Sequence, residues 1–492
     1  MSEHHYIACD LGADSGRVIL GTLKDGKVIL EEVHRFPTGV SKVQGSFRWN
    51  VLRIFEELKA GLRKVAAKGI SAESMSVDSW GVDYVYFNPR QPMLALPYQY
   101  RDSRTDGPYA FALKNIGREQ IFSETGIQFM QINTFYQLIS DVEQNSDIQG
   151  IADKFLCIAD YLHYLFSGAV KQEISMASTT QVYNPRTRQW SQALIKAARI
   201  PERLFPELVD SGTRLGCLIP AVAEETGLPA IPVVATCSHD TGAAVAAVPA
   251  KGKGWAFLSS GTWSLIGVEL SAPLINDTVL EGNFTNEAGY GGTTRFLKNI
   301  VGLWLLQESR REWIRQGQTI SWDDLDGMAE ESEPFRSLIN PNDPRFLKPD
   351  QMPQKIADYC RETGQAVPET PGEVTRCIFE SLALSYRQML QKIEALTGEP
   401  ITRVHMVGGG TKSPVLNQYA ANGTGRAILT GPVEATACGN ILIQALTLGH
   451  LPSLDALRQT VADSFPIIEY QPQNGADWDR AYERFCKLTS SI

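Results

Sequence analysis

The segment Tyr6-Ile-Ala-Cys-Asp-Leu-Gly-Ala-Asp-Ser-Gly-Arg-Val-Ile-Leu20 places an apolar strand on each side of a short turn of small and polar residues. A second segment, Trp255-Ala-Phe-Leu-Ser-Ser-Gly-Thr-Trp-Ser-Leu-Ile-Gly-Val268, has the same layout about half a chain later. Turns of this kind direct backbone N–H groups and hydroxyls toward one point, where they can hold an anion such as phosphate. Two such turns predict two related domains that face each other across a nucleotide.

The length and composition of the chain set limits on its class. At 492 residues it is too long for one ordinary hydrophobic core, which predicts two or three domains. The net charge of −9 is unlike the basic balance of nucleic-acid-binding proteins. The sequence contains no apolar run of about 18 residues, and its N-terminus lacks the layout of a signal peptide. We therefore expect a cytoplasmic protein that binds neither nucleic acid nor membrane.

Strands alternate with helices along the chain, which predicts an α/β fold. Lys24-Asp-Gly-Lys27 is a hairpin signal, and Asn50 is a candidate N-cap for an amphipathic helix. Thr370-Pro-Gly-Glu373 is a capping box that opens a long helix, and Gly398 ends it. We predict an N-terminal domain over residues 1–247 and a C-terminal domain over residues 248–454. The helical end, residues 455–492, is expected to pack back on the first domain.

Asp10 ends the first predicted strand immediately before its turn. A carboxylate at that place can hold Mg²⁺ through water, because Mg²⁺ keeps several waters and takes one or two carboxylates. The alternative from the residues alone is an Asx turn that only closes the loop. Arg17, just after the turn, could reach a phosphate or could lie solvated on its strand.

Ser238-His-Asp-Thr-Gly242 follows an apolar strand and opens an alanine-rich helix, the position at which open α/β sheets bind ligands. There Asp240 would either cap the helix or take the proton of a substrate hydroxyl, with His239 binding the substrate. A Ser-His-Asp hydrolase triad is excluded, because three adjacent residues cannot converge from separate elements.

Three glycines, Gly408 to Gly410, follow another predicted strand and would let the backbone approach a flat ligand closely. The chain has no P-loop pattern and no dinucleotide-binding glycine spacing. Its eight cysteines include no C-x-x-C pair, so a structural zinc site is not expected. His4 and His450 have no carboxylate or cysteine partner at ligand spacing, so they receive no metal-binding role.

Together these segments resemble the FGGY carbohydrate kinases of the actin-like sugar-kinase superfamily, over nearly the whole chain. The motif segments are DLGADSGR (10–17), LSSGTWSL (258–265) and MVGGGTKSPVLNQ (406–418). Longer segments are most similar to family members that phosphorylate L-rhamnulose, among them SHDTGAAV (238–245), LKNIVGLWLLQ (297–307) and GPVEATACGNI (431–441). The resemblance implies two actin-like, ribonuclease H-like α/β domains, the first for the sugar and the second for the nucleotide, with a central catalytic cleft.

The resemblance also implies roles for individual residues. It implies that Asp240 is the catalytic base, that ATP is the co-substrate and Mg²⁺ the cofactor, and that Asp10 holds the metal ion through water. The residues that it carries over to the sugar are Gly81, His239, Asp240, Thr241 and Asn299. The residues that it carries over to ATP are Ala13, Asp14, Ser15, Gly16, Arg17, Thr262, Gln307 and Gly409. Position 14 is often Ser in relatives, which leaves the role of Asp14 open.

The activity implied is ATP-dependent phosphorylation of L-rhamnulose at its C1 hydroxyl, giving L-rhamnulose 1-phosphate and ADP in L-rhamnose degradation. One sequence does not resolve hydroxyl stereochemistry, so a kinase for another ketose, such as L-fuculose, is an alternative. A non-catalytic regulator that responds to sugar and ATP is a second alternative. An actin-like filament or chaperone ATPase is a third.

Overall fold

Both predicted hairpins are present in the computed structural model, which describes residues 3–144 and 146–489. In the first hairpin the two strands are antiparallel, with Asp10 opposite Arg17. In the second hairpin Ser260 lies opposite Ser264. The hairpin predicted at Lys24-Asp-Gly-Lys27 is also confirmed, because those two lysines are paired across the turn.

The strands and helices follow in chain order. Within the described residues the strands are β1 (Glu3–Leu11), β2 (Ser15–Lys24), β3 (Lys27–Pro37), β4 (Val40–Val43), β5 (Ser46–Trp49), β6 (Ser74–Ser79), β7 (Tyr84–Phe87), β8 (Lys154–Cys157), β9 (Lys171–Glu173), β10 (Tyr183–Asn184), β11 (Gln189–Trp190), β12 (Glu207–Val209), β13 (Thr213–Cys217), β14 (Pro232–Ala235), β15 (Trp255–Ser260), β16 (Trp263–Leu270), β17 (Thr285–Ala288), β18 (Thr294–Val301), β19 (Arg403–Val407), β20 (Ala427–Thr430) and β21 (Ile468–Tyr470). Over the same residues the α-helices are α1 (Val51–Ala67), α2 (Asp106–Asn115), α3 (Arg118–Thr125), α4 (Thr134–Gln144), α5 (Ser146–Ile151), α6 (Ile158–Ser167), α7 (Ile174–Thr179), α8 (Gln192–Ala197), α9 (Pro220–Thr226), α10 (Asp240–Ala246), α11 (Asp277–Gly282), α12 (Trp304–Arg315), α13 (Trp322–Glu331), α14 (Met352–Glu362), α15 (Pro371–Thr397), α16 (Pro414–Thr424), α17 (Ala435–Leu448), α18 (Leu454–Ser464) and α19 (Gly475–Thr489).

Unit 1 comprises Met1–Pro249, Glu269–Phe296 and Ala435–Ser464. Its main sheet has the order β13-β14-β6-β1-β2-β3. Strands β1, β6 and β14 are parallel, whereas β2 is antiparallel to β1 and β13 is antiparallel to β14. The apolar faces of α1 and α6 cover this sheet and form its core with residues such as Ile7 and Val77. Asn50 caps α1 as predicted, accepting a hydrogen bond from the Arg53 N–H at 3.1 Å.

Unit 2 comprises Ala250–Val268, Leu297–Glu434 and Phe465–Ile492. Its strands follow the order β18-β16-β15-β19-β20-β21, with β15, β19 and β20 parallel. The long helix predicted from the capping box is α15, capped reciprocally by Thr370 and Glu373 and ended by Gly398 in the left-handed conformation. In each unit, the first strand of an antiparallel hairpin pairs on its other edge with a parallel strand, and a second parallel strand follows. This repeated strand order confirms the ribonuclease H-like arrangement.

The compact units do not coincide with the predicted ranges 1–247 and 248–454. The chain returns to unit 1 at residues 435–464, where α17 packs against β1 and β6. Gln444 on α17 donates to the Ile7 carbonyl oxygen at 3.0 Å and accepts from the Ser74 hydroxyl at 2.6 Å.

The end of the chain, predicted to pack on the first domain, is divided between the units. Helix α18 belongs to unit 1, but α19 belongs to unit 2. The reason is apolar packing: Trp478 and Phe485 of α19 are buried in a cluster with Ala383 and Leu384 of α15. No helix among the described residues is long and apolar enough to cross a membrane.

Candidate active site

The carboxyl ends of three parallel strands of unit 1 meet at one edge of its sheet. Asp10 on β1 lies beside Asp78 on β6. The segment after β14 continues alongside β6, since the Ser79 N–H donates to the Ser238 carbonyl oxygen at 2.9 Å. This pairing brings the start of α10, and with it Asp240, to the same edge. Open α/β sheets bind their ligands at this end of the strands.

Asp240 is the first residue of α10 rather than its cap. His239 occupies the N-cap position, and its side chain makes no capping hydrogen bond. The Asp240 Oδ1 atom accepts from the Thr241 N–H at 2.5 Å, and the side chain is 31% exposed. The capping role considered from the sequence is therefore wrong, and the carboxylate can be reached by a substrate hydroxyl.

Negative charge is concentrated at this edge. Burial raises the pKa of Asp78 well above its usual value, and the charges of Asp10 and Asp240 raise it further. The Asn440 side-chain amide donates to Asp78 Oδ2 at 2.6 Å, whereas Asp78 Oδ1 is buried and has no hydrogen-bond partner among the described residues. Arg17 forms an ion pair with Asp10. A buried carboxylate oxygen without a partner is unfavourable, so the edge is suited to a positively charged ligand.

The turn of the first hairpin is closed by its own backbone. The Gly12 N–H donates to the Ser15 carbonyl oxygen at 2.9 Å. The Thr38 hydroxyl donates to the Ala13 carbonyl oxygen at 2.8 Å, and the Thr38 N–H donates to that of Asp14 at 3.3 Å. These contacts hold the turn over residues 13–15 in one conformation beside the acidic edge. The Asp14 side chain is exposed there.

Gly16 and Arg17, which follow the turn, have structural partners of their own. A Cβ atom at Gly16 would overlap the side chains of Phe36 and Leu11, so only glycine fits. The Arg17 side chain is 16% exposed and its guanidinium faces Asp10. Arg17 is therefore neither solvated nor remote, and its charge lies at the acidic edge.

The loop after β6 is held in place by one buried carboxylate. Asp83 accepts hydrogen bonds from the indole N–H groups of Trp49 at 2.6 Å and Trp80 at 3.0 Å. It also accepts from the Gln137 amide at 3.1 Å and the Tyr100 N–H at 3.2 Å. Burial raises the pKa of Asp83 to about 6, although these four donors act in the opposite direction.

Gly81 lies within this loop, close to α7. A Cβ atom at Gly81 would stand 2.9 Å from the Thr179 hydroxyl oxygen, and the next residue, Val82, has a positive φ of 71°. The close approach to Thr179 explains why a residue without a side chain is required at position 81.

His239 is oriented by two charged residues that the sequence did not single out. Arg295 is fully buried, and its Nη2 donates to His239 Nδ1 at 3.1 Å. Arg295 Nη1 lies 3.1 Å from Glu287 Oε2. Because a guanidinium can only donate, the contact with Arg295 favours the tautomer with the proton on Nε2, whereas Glu287 Oε2, 3.3 Å from Nδ1, favours the proton on Nδ1. Nε2 lies 3.4 Å from Asp240 Oδ1, so this nitrogen faces the acidic edge.

The loop before α10 rests on two buried carboxylates, which the sequence also did not reveal. Glu173 accepts from the Ser238 N–H at 3.0 Å and from the Ser175 N–H at 2.9 Å. Asp160 accepts from the Ser238 hydroxyl at 3.0 Å. Burial raises the pKa of both carboxyl groups. No local motif in the sequence marks either residue.

The second turn, in unit 2, is tied to the start of α12. The Leu303 N–H donates to the Gly261 carbonyl oxygen at 2.9 Å, and the Thr262 hydroxyl donates to Gln307 Oε1 at 3.2 Å. A Cβ atom at Gly302 would stand 2.8 Å from the Gly261 carbonyl oxygen. The structure thus brings the side chains of Thr262 and Gln307 together.

The three glycines after β19 have unequal surroundings. A Cβ atom at Gly408 would lie 2.9 Å from the Ser260 carbonyl oxygen, and one at Gly410 would overlap the Ser260 side chain. Gly409 has no atom within 4 Å of its Cβ position. Two of the glycines therefore allow packing, and Gly409 presents backbone to open space. Asn299, predicted for the sugar, is half-buried on β18 of unit 2.

Sequence models of one enzyme family match both halves of the chain. The N-terminal domain of the FGGY family of carbohydrate kinases matches residues 5–247, and the C-terminal domain matches residues 256–448. The chain belongs to this family. It is an ATP-dependent carbohydrate kinase, as the resemblance implied.

Curated relatives resemble the kinase over almost their full length. A rhamnulokinase of Bacteroides thetaiotaomicron is 45% identical, with 98% of this chain and 99% of the relative covered. A rhamnulokinase of Bacillus subtilis is 39% identical, with 95% and 96% covered. Among solved structures, the xylulose kinase of Lactobacillus acidophilus has a TM-score of 0.83 at 15% identity, covering 99% of this chain and 98% of that one. At that identity the likeness shows the fold alone.

Carbohydrate kinases of this family use a divalent metal ion, and the acidic edge of unit 1 fits one. The orphaned Asp78 Oδ1 and the mutual repulsion of Asp10, Asp78 and Asp240 favour a cation there. The three carboxylates do not all come within 4.8 Å of one another, which suits an ion that keeps its water shell.

Proposed function

We propose that this kinase transfers the γ-phosphoryl group of ATP to the C1 hydroxyl of L-rhamnulose, giving L-rhamnulose 1-phosphate and ADP in L-rhamnose degradation. The observation that carries the chemistry is the partly exposed carboxylate of Asp240 at the acidic strand edge. The substrate comes from the relatives, since seven of them, at 39% to 45% identity, bear the name rhamnulokinase.

Asp240 accepts the proton of the C1 hydroxyl as that oxygen attacks the γ-phosphorus. A carboxylate does the same in the catalytic loop of protein kinases, and such help is worth about 10²- to 10⁴-fold in rate. His239, oriented by Arg295, forms a hydrogen bond to a sugar oxygen through Nε2. The other residues proposed for the sugar are Gly81, Thr241 and Asn299.

The residues proposed for ATP lie in or beside the two turns, on α12 and in the glycine segment, namely Ala13, Asp14, Ser15, Gly16, Arg17, Thr262, Gln307 and Gly409. Asp10 is proposed to hold Mg²⁺ through water, with Asp78 beside it. Bound there, Mg²⁺ supplies neutralisation of charge on the phosphates. We propose the sugar for unit 1 and the nucleotide for unit 2, which keeps the predicted order of the domains, and a cytoplasmic location as expected from the sequence.

A coupled assay of ADP release tests the substrate. L-Rhamnulose, L-fuculose, L-ribulose and L-xylulose are compared at equal concentrations, and the phosphorylated position is read by ³¹P and ¹³C NMR. We expect the highest kcat/KM with L-rhamnulose, by at least ~10-fold, because a mispaired buried hydroxyl is strongly disfavoured. A higher kcat/KM with another ketose would assign the enzyme to that sugar instead.

The same assay distinguishes a sugar kinase from a regulator and from a filament or chaperone ATPase. A regulator would bind sugar saturably without releasing ADP. A filament or chaperone ATPase would release ADP at a rate independent of sugar. The ion-paired acidic edge with an accessible Asp240 favours the kinase over both.

A further inference from the structure

Three side chains of unit 1 form a cluster at the opposite end of β1 from the catalytic edge. They are His4 near the start of β1, Glu73 immediately before β6, and His450 just after α17. Their ligand atoms all lie within 4.8 Å of one another. Because His4 is six residues from Asp10 along a strand, the cluster is about 20 Å from the catalytic edge.

One carboxylate faces both imidazoles. Glu73 Oε1 lies 2.6 Å from His4 Nδ1, and Glu73 Oε2 lies 3.5 Å from His450 Nε2. The two imidazole rings are stacked, with centroids 3.7 Å apart and planes inclined by 18°. The three donor atoms lie within 4.8 Å of one another, and because stacked rings direct their nitrogen lone pairs along nearly parallel planes, binding one ion requires the two rings to tilt apart.

The donor set selects the kind of ion. Two imidazole nitrogens and one carboxylate oxygen, with water in a fourth position, are ligands that Zn²⁺ uses. Mg²⁺ prefers oxygen ligands and is poorly matched to two imidazoles. Tyr6 Oη lies 2.5 Å from His450 Nδ1. Metal-ligating histidines usually have such a partner on the second nitrogen, which fixes the ring orientation.

We infer that His4, Glu73 and His450 bind one Zn²⁺ ion, or a similar divalent transition-metal ion, at a structural site separate from the catalytic metal. The side chains are 21%, 33% and 22% exposed, so the ion can enter from solvent and keep a water ligand. Sequence spacing could not predict this role for His4 and His450, because the three ligands come from distant parts of the chain.

Binding at this site would connect β1, β6 and the end of α17. Because the three ligands converge only in the folded chain, the ion binds the native state and raises the unfolding temperature. The site touches none of the residues proposed for sugar or ATP, so its occupancy and the kinase reaction can be measured separately.

The test is a titration of the full-length kinase with Zn²⁺ in excess Mg²⁺, which occupies the acidic edge. Isothermal titration calorimetry and thermal unfolding are recorded for the native sequence and for Glu73→Gln and His450→Gln. We expect one high-affinity equivalent that raises the unfolding temperature, and at least ~10-fold weaker binding in each variant. His5→Gln is the matched control, because His5 is adjacent in sequence and its ring contacts Thr22 instead.

Rates of ADP release in Mg²⁺ show that each variant is folded. Should a variant be inactive, His4→Gln, at the start of β1, replaces it. Unchanged Zn²⁺ affinity in these variants, an equal loss in His5→Gln, or the absence of a saturable equivalent in the native sequence would each overturn the inference.

Discussion

At Asp78, charge repulsion and burial act in the same direction. Its Oδ1 is buried without a partner among the described residues, and Asp10 and Asp240 are close enough to raise its pKa. We predict that Asp78→Asn stabilises the metal-free protein and raises its unfolding temperature, because the change removes a buried, repelled carboxyl group. The same change raises the Mg²⁺ concentration for half-maximal activity by about tenfold, equivalent to ~1.4 kcal/mol.

Thermal unfolding in EDTA and the dependence of ADP release on Mg²⁺ measure these two effects. Asp25→Asn, in the exposed hairpin turn between β2 and β3, is the charge-matched control and should change neither. If the Asp78→Asn protein required the same Mg²⁺ concentration as the native protein, Asp78 would not contribute to metal binding.

We predict that Glu380 on α15 makes the free energy of unfolding depend on pH. Burial raises the pKa of Glu380 from 4.5 to about 7, although Arg376 Nε lies 2.7 Å from Oε1 and the Phe335 N–H donates to Oε2 at 2.9 Å. Because the pKa is higher in the folded state, the stabilising contribution is complete below pH 4.5 and is lost as the pH rises to about 7.

The measurement is urea unfolding of the native protein and of Glu380→Gln across this range. The free energy of unfolding of the native protein, relative to that of the variant, should fall by on the order of 3 kcal/mol with increasing pH. Arg376 retains its bonds to the Ala329 and Ser332 carbonyl oxygens in the variant, so the comparison isolates the carboxyl group. A difference that grows with pH would contradict the assignment.

At the scale of elements, the contact between the second turn and α12 depends on Gly302. A methyl group there would stand 2.7 Å from the Ser264 hydroxyl and 2.8 Å from the Gly261 carbonyl oxygen. We predict that Gly302→Ala displaces the start of α12 from the turn and raises the KM for ATP by about tenfold, with a smaller effect on the KM for sugar.

Steady-state kinetics with each substrate varied in turn provide the readout. Gly327→Ala within α13 is the matched control, since no atom lies within 4 Å of its Cβ position, and it should be neutral or stabilise slightly. If Gly302→Ala raised only the KM for sugar, Thr262 and Gln307 would not belong to the nucleotide.

Elements with local signals were predictable from the sequence. The hairpins, the Asn50 cap and the capping box of α15 each depend on residues a few positions apart, and all are present. The supports of the site were not predictable, because Glu173, Arg295 and Asn440 reach it from distant segments. For Arg295 the sequence does contain a signal, because a charged residue stands within the otherwise largely apolar first half of strand β18.

At the scale of the whole molecule, the two units repeat one strand order but are not continuous in sequence. The chain passes from unit 1 to unit 2, returns to unit 1 for Glu269–Phe296, continues in unit 2, and returns again with α17 and α18 before α19. The compact units are therefore discontinuous, whereas the family models divide the chain once, between residues 247 and 256. The acidic edge of unit 1 and the Thr262 turn of unit 2 look equivalent in the sequence, but they carry different chemistry, since carboxylates line only the first.

The proposed mechanism depends on Asp240 taking the proton of the sugar hydroxyl, and Asp240→Asn measured with saturating ATP and L-rhamnulose tests this step. Asn is nearly the same size, so the fold and sugar affinity should be retained, as calorimetric titration with L-rhamnulose will show. We predict a fall in kcat of at least ~10²-fold in the ADP-release assay. A kcat close to that of the native enzyme would contradict the role of Asp240.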